Sequence, residues 1–256
     1  MLDFIKSFLA KKDSGFAEIE PILEKVKRKC WKPVVSEGDG NVEASKFSGL
    51  PWLAADEEWP VCGNCKKPMQ LFLQLNKKDL PPEAQDSFMG GDVLQLFYCV
   101  NSSDDTSCEC ESETYMPFAR DSVLIRTITQ GKTCRQITES PVEGAFPCKL
   151  IAGWEEHADY PGYDEIRDTE VNLDSKEEDC LLDAGFPVMG DKLLGWPGWV
   201  QGPEYPECPD CGKKMSYVFQ IDSGDNIPYM FGDCGCGHIT QCREHPERLA
   251  FAWACS

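Results

Sequence analysis

The amino-acid sequence predicts an α+β protein that is mainly β, with two pseudo-symmetric β-rich halves related by an internal repeat and short helices at its N-terminus. Two observations predict this class. The first is the repeat: residues 49–76 (GLPWLAADEEWPVCGNCKKPMQLFLQLN) align without a gap on residues 195–222 (GWPGWVQGPEYPECPDCGKKMSYVFQID). At a constant offset of 146 residues, Gly49 matches Gly195, Pro51 matches Pro197, Pro60 matches Pro206 and Cys62 matches Cys208. Cys65, Lys67, Met69 and Gln74 match Cys211, Lys213, Met215 and Gln220 in the same frame, which chance rarely supplies. The second is a series of short β-favouring runs bounded by Gly, Pro or Asp, at 69–76, 93–100, 122–128, 214–222 and 249–255.

Along the chain, Leu2, Ile5, Phe8 and Leu9, then Ile19, Ile22, Leu23 and Val26, are spaced by threes and fours. They predict two short amphipathic helices broken near Ser14 and Gly15, with Pro21 in the first turn of the second, where its missing N–H costs nothing. Helical preference stops at Trp31, Lys32 and Pro33. The repeat continues past its gapless core, since the run ending at Cys99 corresponds to GHITQC ending at Cys242. The chain thus divides into a helical segment 1–45, a first β unit 46–130, an acidic connecting region 131–190 and a second β unit 191–256, packed as one composite domain. In 69–76, alternation of Met69, Leu71, Leu73 and Leu75 with Gln70, Phe72, Gln74 and Asn76 predicts a core-facing strand.

The 15 cysteines need a reason in a chain of 256 residues. The N-terminal stretch has an acid at Asp3 and no basic leader, so it does not read as a secretory signal, and no 18-residue apolar run predicts a membrane span. A cytoplasmic, reducing setting is expected, where thiols stay free or bind metal. With 25 Lys and Arg against 44 Asp and Glu, the formal charge of −19 argues against nucleic acid and anionic membrane as partners. Residues 155–183 carry 12 acidic residues against Arg167 and Lys176, which reads as a solvated loop or as a dock for a basic partner.

Cys62 and Cys65, and again Cys208 and Cys211, form CxxC knuckles. Each supplies half a tetrahedral zinc site, and the Gly after Cys211 permits a backbone that turns N–H groups toward sulfur. The second half-site falls after the next strand. In one unit Cys242 and His245 complete a site of three cysteines and one histidine. In the other, Cys99 together with Cys108 or Cys110 completes a site of four cysteines. Cys234 or Cys236 stands close enough in sequence to substitute in the histidine-bearing site. Two structural zinc ions are therefore expected, while Cys30, Cys134, Cys148, Cys180 and Cys255 are scattered and read as buried thiols. A redox role for the CxxC pairs lacks its thioredoxin-like setting. His157 lies in the acidic stretch and His238 opens a strand, and no nucleophile elbow, metalloprotease or phosphate-loop motif is present. No catalytic residue and no organic cofactor is assigned.

The motifs GLPWLAADEEWP, CGNCKKPMQLFLQLN, GWPGWVQGP, YMFGDCGCGHITQC and LAFAWAC resemble the YwqG-like family, a bacterial domain of unknown function, over nearly the whole chain beyond residue 45. The resemblance implies an α+β fold of two pseudo-symmetric β-rich halves. The Cys-containing version is also similar to the programmed cell death protein 2 group, in which a CxxC precedes an LxLQ-type strand and then a strand ending in Cys. That likeness implies escort of a newly made ribosomal small-subunit protein. The expected function is a zinc-stabilised protein-binding protein, a dedicated chaperone or shield for a basic client. An immunity-type inhibitor of a toxin, or an enzyme using a cleft between the halves, are the alternatives.

Overall fold

Two long strands pair antiparallel at the centre of the molecule: β1 (Arg28–Glu37) and β6 (Lys149–Asp159), in register from Arg28 opposite Asp159 to Glu37 opposite Lys149, with a bulge at Val34/Val35. The computed structural model of the chain describes residues 15–102, 108, 113–119, 121–131 and 133–256. From the central pair a meander extends on each side. Next to β6 lie β2 (Lys46–Phe47), β3 (Gln70–Asn76), β4 (Val93–Tyr98) and β5 (Val123–Ile128). Next to β1 lie β7 (Lys192–Leu194), β8 (Ser216–Asp222), β9 (Cys236–Gln241) and β10 (Leu249–Ala254). The ten strands form one antiparallel sheet curled into a nearly closed barrel, and the fold is mainly β. The two flanks share their registers: Lys46 faces Gln74 and Lys192 faces Gln220, and β3 and β8 bulge at Leu71/Leu73 and at Tyr217/Phe219.

The β-favouring runs fold as expected, but both central strands escaped the sequence reading in whole or in part. β1 begins at Arg28, inside the stretch read as helical. Its Pro33, which has no N–H to give, lies beyond Cys30 and Trp31, the residues that β7 pairs with. The region read as a solvated acidic loop holds the end of β6 and two helices, α2 (Tyr163–Ile166) and α3 (Ser175–Ala184). α3 starts on a capping box between Asp174 and Glu177 and stops at Gly185, whose φ of 78° suits a left-handed cap. The first predicted helix, over residues 2–9, lies outside the described residues. The second is α1 (15–23), in which Pro21 is the seventh described residue, not in a first turn. The chain leaves the α-helix two residues later for a 3-10 turn at Glu24–Val26. Ile19 and Leu23 of α1 pack with Tyr160, Ile166 and Leu181 in a cluster separate from the main core.

Inside the barrel an aromatic cluster fills the space: Phe72 meets Tyr98 at 4.9 Å and Tyr229 at 5.2 Å between ring centroids, and Phe231 meets Phe251 at 5.8 Å. β3 was expected to bury one face. Instead every residue from Gln70 to Asn76 is buried, because the segments before and after β2 both lie against it. The polar residues of β3 are satisfied there. Gln74 accepts from the Trp52 N–H at 2.8 Å and donates to the carbonyls of Val42 and Ala44. Gln220 repeats the first of these bonds by accepting from the Gly198 N–H at 2.7 Å. Edge strands β5 and β10 come within 8 Å of each other between Cα atoms but do not pair. Residues 113–119 lie beside this seam, held by Thr114 against the Tyr98 hydroxyl at 2.7 Å, which also receives the Trp253 indole N–H at 2.9 Å.

Two buried ammonium groups tie the flanks to the centre. Lys192 and Asp159 form a fully buried ion pair at 2.9 Å, and Asp159 also accepts from the N–H groups of Tyr160, Val188 and Trp196. Lys46 instead gives its hydrogens to the carbonyls of Asp39, Asn41 and Leu50 and to the Asp39 carboxylate. Removing Asp159 therefore strands a charge, whereas removing the Asp39 carboxylate leaves Lys46 with its carbonyls. In urea titrations Asp159→Asn is expected to cost about 3–5 kcal/mol and Asp39→Asn clearly less. The double change Asp159→Leu with Lys192→Met is expected to cost less than Asp159→Asn.

His238 in β9 is buried against Trp199, with ring centroids 4.4 Å apart, and burial pushes its imidazole down to about 3. An unfolded histidine titrates near 6.5. Below that pH the unfolded chain binds a proton that the folded chain refuses, so this contribution to stability is fully present above about pH 6.5 and is lost as pH falls toward 3. Between about pH 7 and about pH 5 the wild-type chain should lose on the order of 2 kcal/mol more stability than His238→Gln, measured by urea unfolding at each pH.

Candidate metal centres

The loops that enter β3 and β8 fold as matching knuckles. Val61 bridges Pro68, the Cys62 N–H reaches the Lys67 carbonyl at 2.9 Å, and the Lys66 N–H returns to the Cys62 carbonyl at 3.0 Å. In the second knuckle Glu207 bridges Lys214, the Cys208 N–H reaches Lys213 at 2.9 Å, and Gly212 returns to Cys208 at 2.8 Å. Both turns require a positive φ after the second cysteine. Gly212 has φ of 69°, and Lys66 adopts 61° in the first knuckle despite its Cβ.

Opposite each knuckle stand residues from beyond the next strand. The structure brings together Cys62, Cys65, Cys99 and Cys108 in one group, and Cys208, Cys211, Cys242 and His245 in another, with the candidate ligand atoms of each group within 4.8 Å of one another. Cys108 is thus the partner in the first group, and Cys110 lies outside the described residues. Neither Cys234 nor Cys236 joins the second group. Cys234 is exposed in a turn, and the Cys236 thiol donates to the Ile221 carbonyl at 3.3 Å. The five scattered cysteines belong to neither group. Burial, with an acid beside each, pushes the thiols of Cys30 and Cys148 up to about 12.

The spacings within each group fit a tetrahedral ion. With metal–sulfur bonds of about 2.3 Å, the edges of a tetrahedron are about 3.8 Å, and a sulfur-to-nitrogen edge is about 3.6 Å. Cys62 to Cys108 is 3.6 Å and Cys65 to Cys99 is 3.7 Å. Cys211 to Cys242 is 3.7 Å, and the His245 Nδ1 lies 3.6 Å from Cys208 and 3.8 Å from Cys242. A disulfide would need about 2.05 Å, and the described cysteines are all free thiols. Both groups could hold a metal ion, with four protein donors each and soft sulfur predominating.

Neighbouring groups already point hydrogens at the sulfurs. Backbone N–H groups of Cys65 and His245 lie 3.4 Å from Cys62 and Cys242. Asn64 donates to Cys108 at 3.2 Å and Asn101 to Cys99 at 3.1 Å, two contacts the sequence reading missed. An asparagine inside the CxxC and another two residues past Cys99 were the available signal. Burial raises the Cys99 thiol, while in the second group the backbone N–H groups of His245 and Glu244 outweigh desolvation and bring Cys242 down to about 7. Hydrogen bonds to Cys242 and Cys208 raise the His245 imidazole. If the first group holds metal, Asn101→Ala should weaken its affinity about 10–100-fold in competition with a chromophoric chelator and leave the second site unchanged.

No curated protein matches the chain. A family model described as a domain of unknown function, DUF1963, matches residues 45–254 and so takes in both candidate centres and all strands from β2 to β10. The chain belongs to the DUF1963 family.

Proposed function

We propose that this chain is a non-catalytic binding protein in which one structural zinc ion staples each of two related β-rich halves, leaving an acidic surface to take up a basic protein partner. The observation that carries the reading is the closure of both groups. Each offers four donors at tetrahedral spacing, with three of the four residues buried in the first group and two in the second, so no position is left for substrate. Sulfur-rich donors favour zinc over magnesium or calcium, and free thiols suit a reducing compartment such as the cytoplasm. The shared registers of Lys46 with Gln74 and Lys192 with Gln220, offset by 146 residues, support a common origin for the halves.

The partner side of the proposal rests on charge. A chain of net −19 steers toward basic surfaces, and steering of that kind acts on association rate and weakens with salt. The resemblance to the YwqG-like family and to the programmed cell death protein 2 group points the same way, since a ribosomal client is a basic one.

Elemental analysis of protein purified without added metal should find two zinc ions per chain, falling by one in Cys62→Ser and by one in Cys208→Ser. A folded chain free of metal would overturn the zinc reading. Chelation should lower stability by less than the ~10 kcal/mol typical of small zinc-finger peptides, because the aromatic core remains. For the partner, pull-downs at low and moderate salt should enrich basic proteins over a charge-matched acidic control. Equal recovery by the two baits would end the client proposal.

A further inference from the structure

A cavity of about 740 Å³ opens beside the start of β1, between helix α2 and the adjoining ends of β7 and β8. That size lies in the range of small-molecule sites. Its inner wall is aromatic: Trp31, Trp196 and Tyr217 are each at most 6% exposed, and Tyr205 stands beside them. Its rim is cationic. Arg28, Lys29, Lys214 and Arg243 all line it, an unusual concentration in a chain of net −19.

These cations differ in how far they are committed. Lys29 is held by Glu156 at 3.0 Å and Glu83 at 3.6 Å. Arg243 gives one N–H to the Asp86 carbonyl at 3.1 Å. The Arg28 guanidinium carbon lies over the Trp196 ring, 3.3 Å from its centroid, and the group gives one hydrogen to the Gly195 carbonyl and meets the Tyr205 hydroxyl. That leaves most of its five donors for another acceptor. Lys214 has no ion-pair or hydrogen-bond partner for its ammonium group among the described residues.

The acid at the wall is occupied. Glu165 is 4% exposed, and its two oxygens accept from the Trp199 indole N–H at 3.2 Å and from the Tyr205 hydroxyl. Burial raises its carboxyl above the ordinary value, with the Arg28 charge opposing. Glu165 thereby holds the Tyr205 ring at the wall. Asp168 is exposed and stands among the lining residues from the same short stretch.

The other flank of the barrel lacks this arrangement. At the offset of 146 residues, Trp196, Tyr205, Lys214 and Tyr217 correspond to Leu50, Trp59, Pro68 and Leu71. There Trp59 and Leu71 pack with Leu53 and Phe97 in an apolar cluster, and the Trp59 indole N–H is spent on the Met69 carbonyl. Two flanks with matching strand registers therefore differ here: equivalent positions join an apolar cluster in one and line an aromatic cavity rimmed with positive charge in the other.

We propose that the cavity binds a small ligand with a flat aromatic body and an anionic group, a phosphate or a carboxylate. The body lies along Trp31, Tyr205 and Tyr217. The anion is met by Arg28, Lys214 and the free hydrogens of Arg243. Aromatic faces supply area without demanding directional bonds, and Arg28 is pre-oriented by its stack on Trp196, so it pays little entropy to meet a planar acceptor.

The test uses the full-length chain as purified and follows tryptophan fluorescence during titration with 2-naphthyl phosphate, 2-naphthoate, 2-naphthol and inorganic phosphate. At least one of the two naphthyl anions should bind at least tenfold more tightly than 2-naphthol and more tightly than phosphate, and their order identifies the anionic group. Arg28→Gln and Lys214→Gln should each weaken the better probe about tenfold, while Lys149→Gln, on β6 and outside the cavity lining, should leave it unchanged. Thermal melts of the variants show that they are folded. Binding of 2-naphthol as tight as that of both anions, or full affinity in folded Arg28→Gln and Lys214→Gln, would overturn the proposal.

Discussion

The ladder between β1 and β6 is the constraint on which the other strands depend. Each flank hangs from the strand that the opposite stretch of chain supplies: β7 pairs with β1, more than 150 residues earlier, and β2 pairs with β6, about a hundred residues later. Neither flank can finish its sheet from its own residues. Asp159 makes the dependence chemical as well as geometrical. It sits at the end of β6 yet receives hydrogen bonds from Val188, Lys192 and Trp196 around β7. A pairing of this sequence separation closes long loops before it gains contacts, so the middle of the barrel is the costly part to form.

The two cysteine groups stand at the opposite extreme. They lie where hairpin loops meet, on apolar clusters separate from the main core: Met69 and Phe97 with the first group, Met215 and Ala250 with the second. Each cluster is too small to hold a loop by burial alone. A four-coordinate ion between two loops would suit such a place, because its bonds do not depend on area removed from water. Arg243, between Cys242 and His245, and Lys214, at the close of the second knuckle, also line the aromatic cavity, so the order of that loop pair sets the position of its rim.

Much of this was legible in the residues, and what was not has a physical explanation. β3, β4, β5, β8 and β10 carry runs of apolar and β-branched residues between turn formers, and the signal is strongest in β3, β4 and β8, which are almost wholly buried, while β5 and β10 are buried only in part. β6 reads KLIAGWEEHAD, and few of its side chains are buried, so its strand character comes from its partners on both sides and not from its own pattern. β7 is three residues long and has no period to read. Spacing pointed to Cys62, Cys65, Cys99, Cys208, Cys211, Cys242 and His245 as two groups, but the place of Cys108 in the first depends on how a loop returns to Asn101, whose carbonyl receives the Cys108 N–H at 2.9 Å. The cavity could not be read at all, since β1, α2, the loop after β7, the start of β8 and the loop after β9 each contribute a part.

The seam between β5 and β10 has a bearing on how such a sheet survives at high concentration. An edge strand with unused N–H and C=O groups is a template for a strand from a neighbouring molecule, and a ten-stranded sheet laid flat would offer two such templates. Here the curl of the sheet turns the two edges toward each other, and residues 113–119, with Tyr115 set against Trp253 at 6.1 Å, cover part of what remains. Each edge thus shields the other from intermolecular strand exchange. The barrel gains much of the protection of full closure without the register constraint that joining its last two strands would impose.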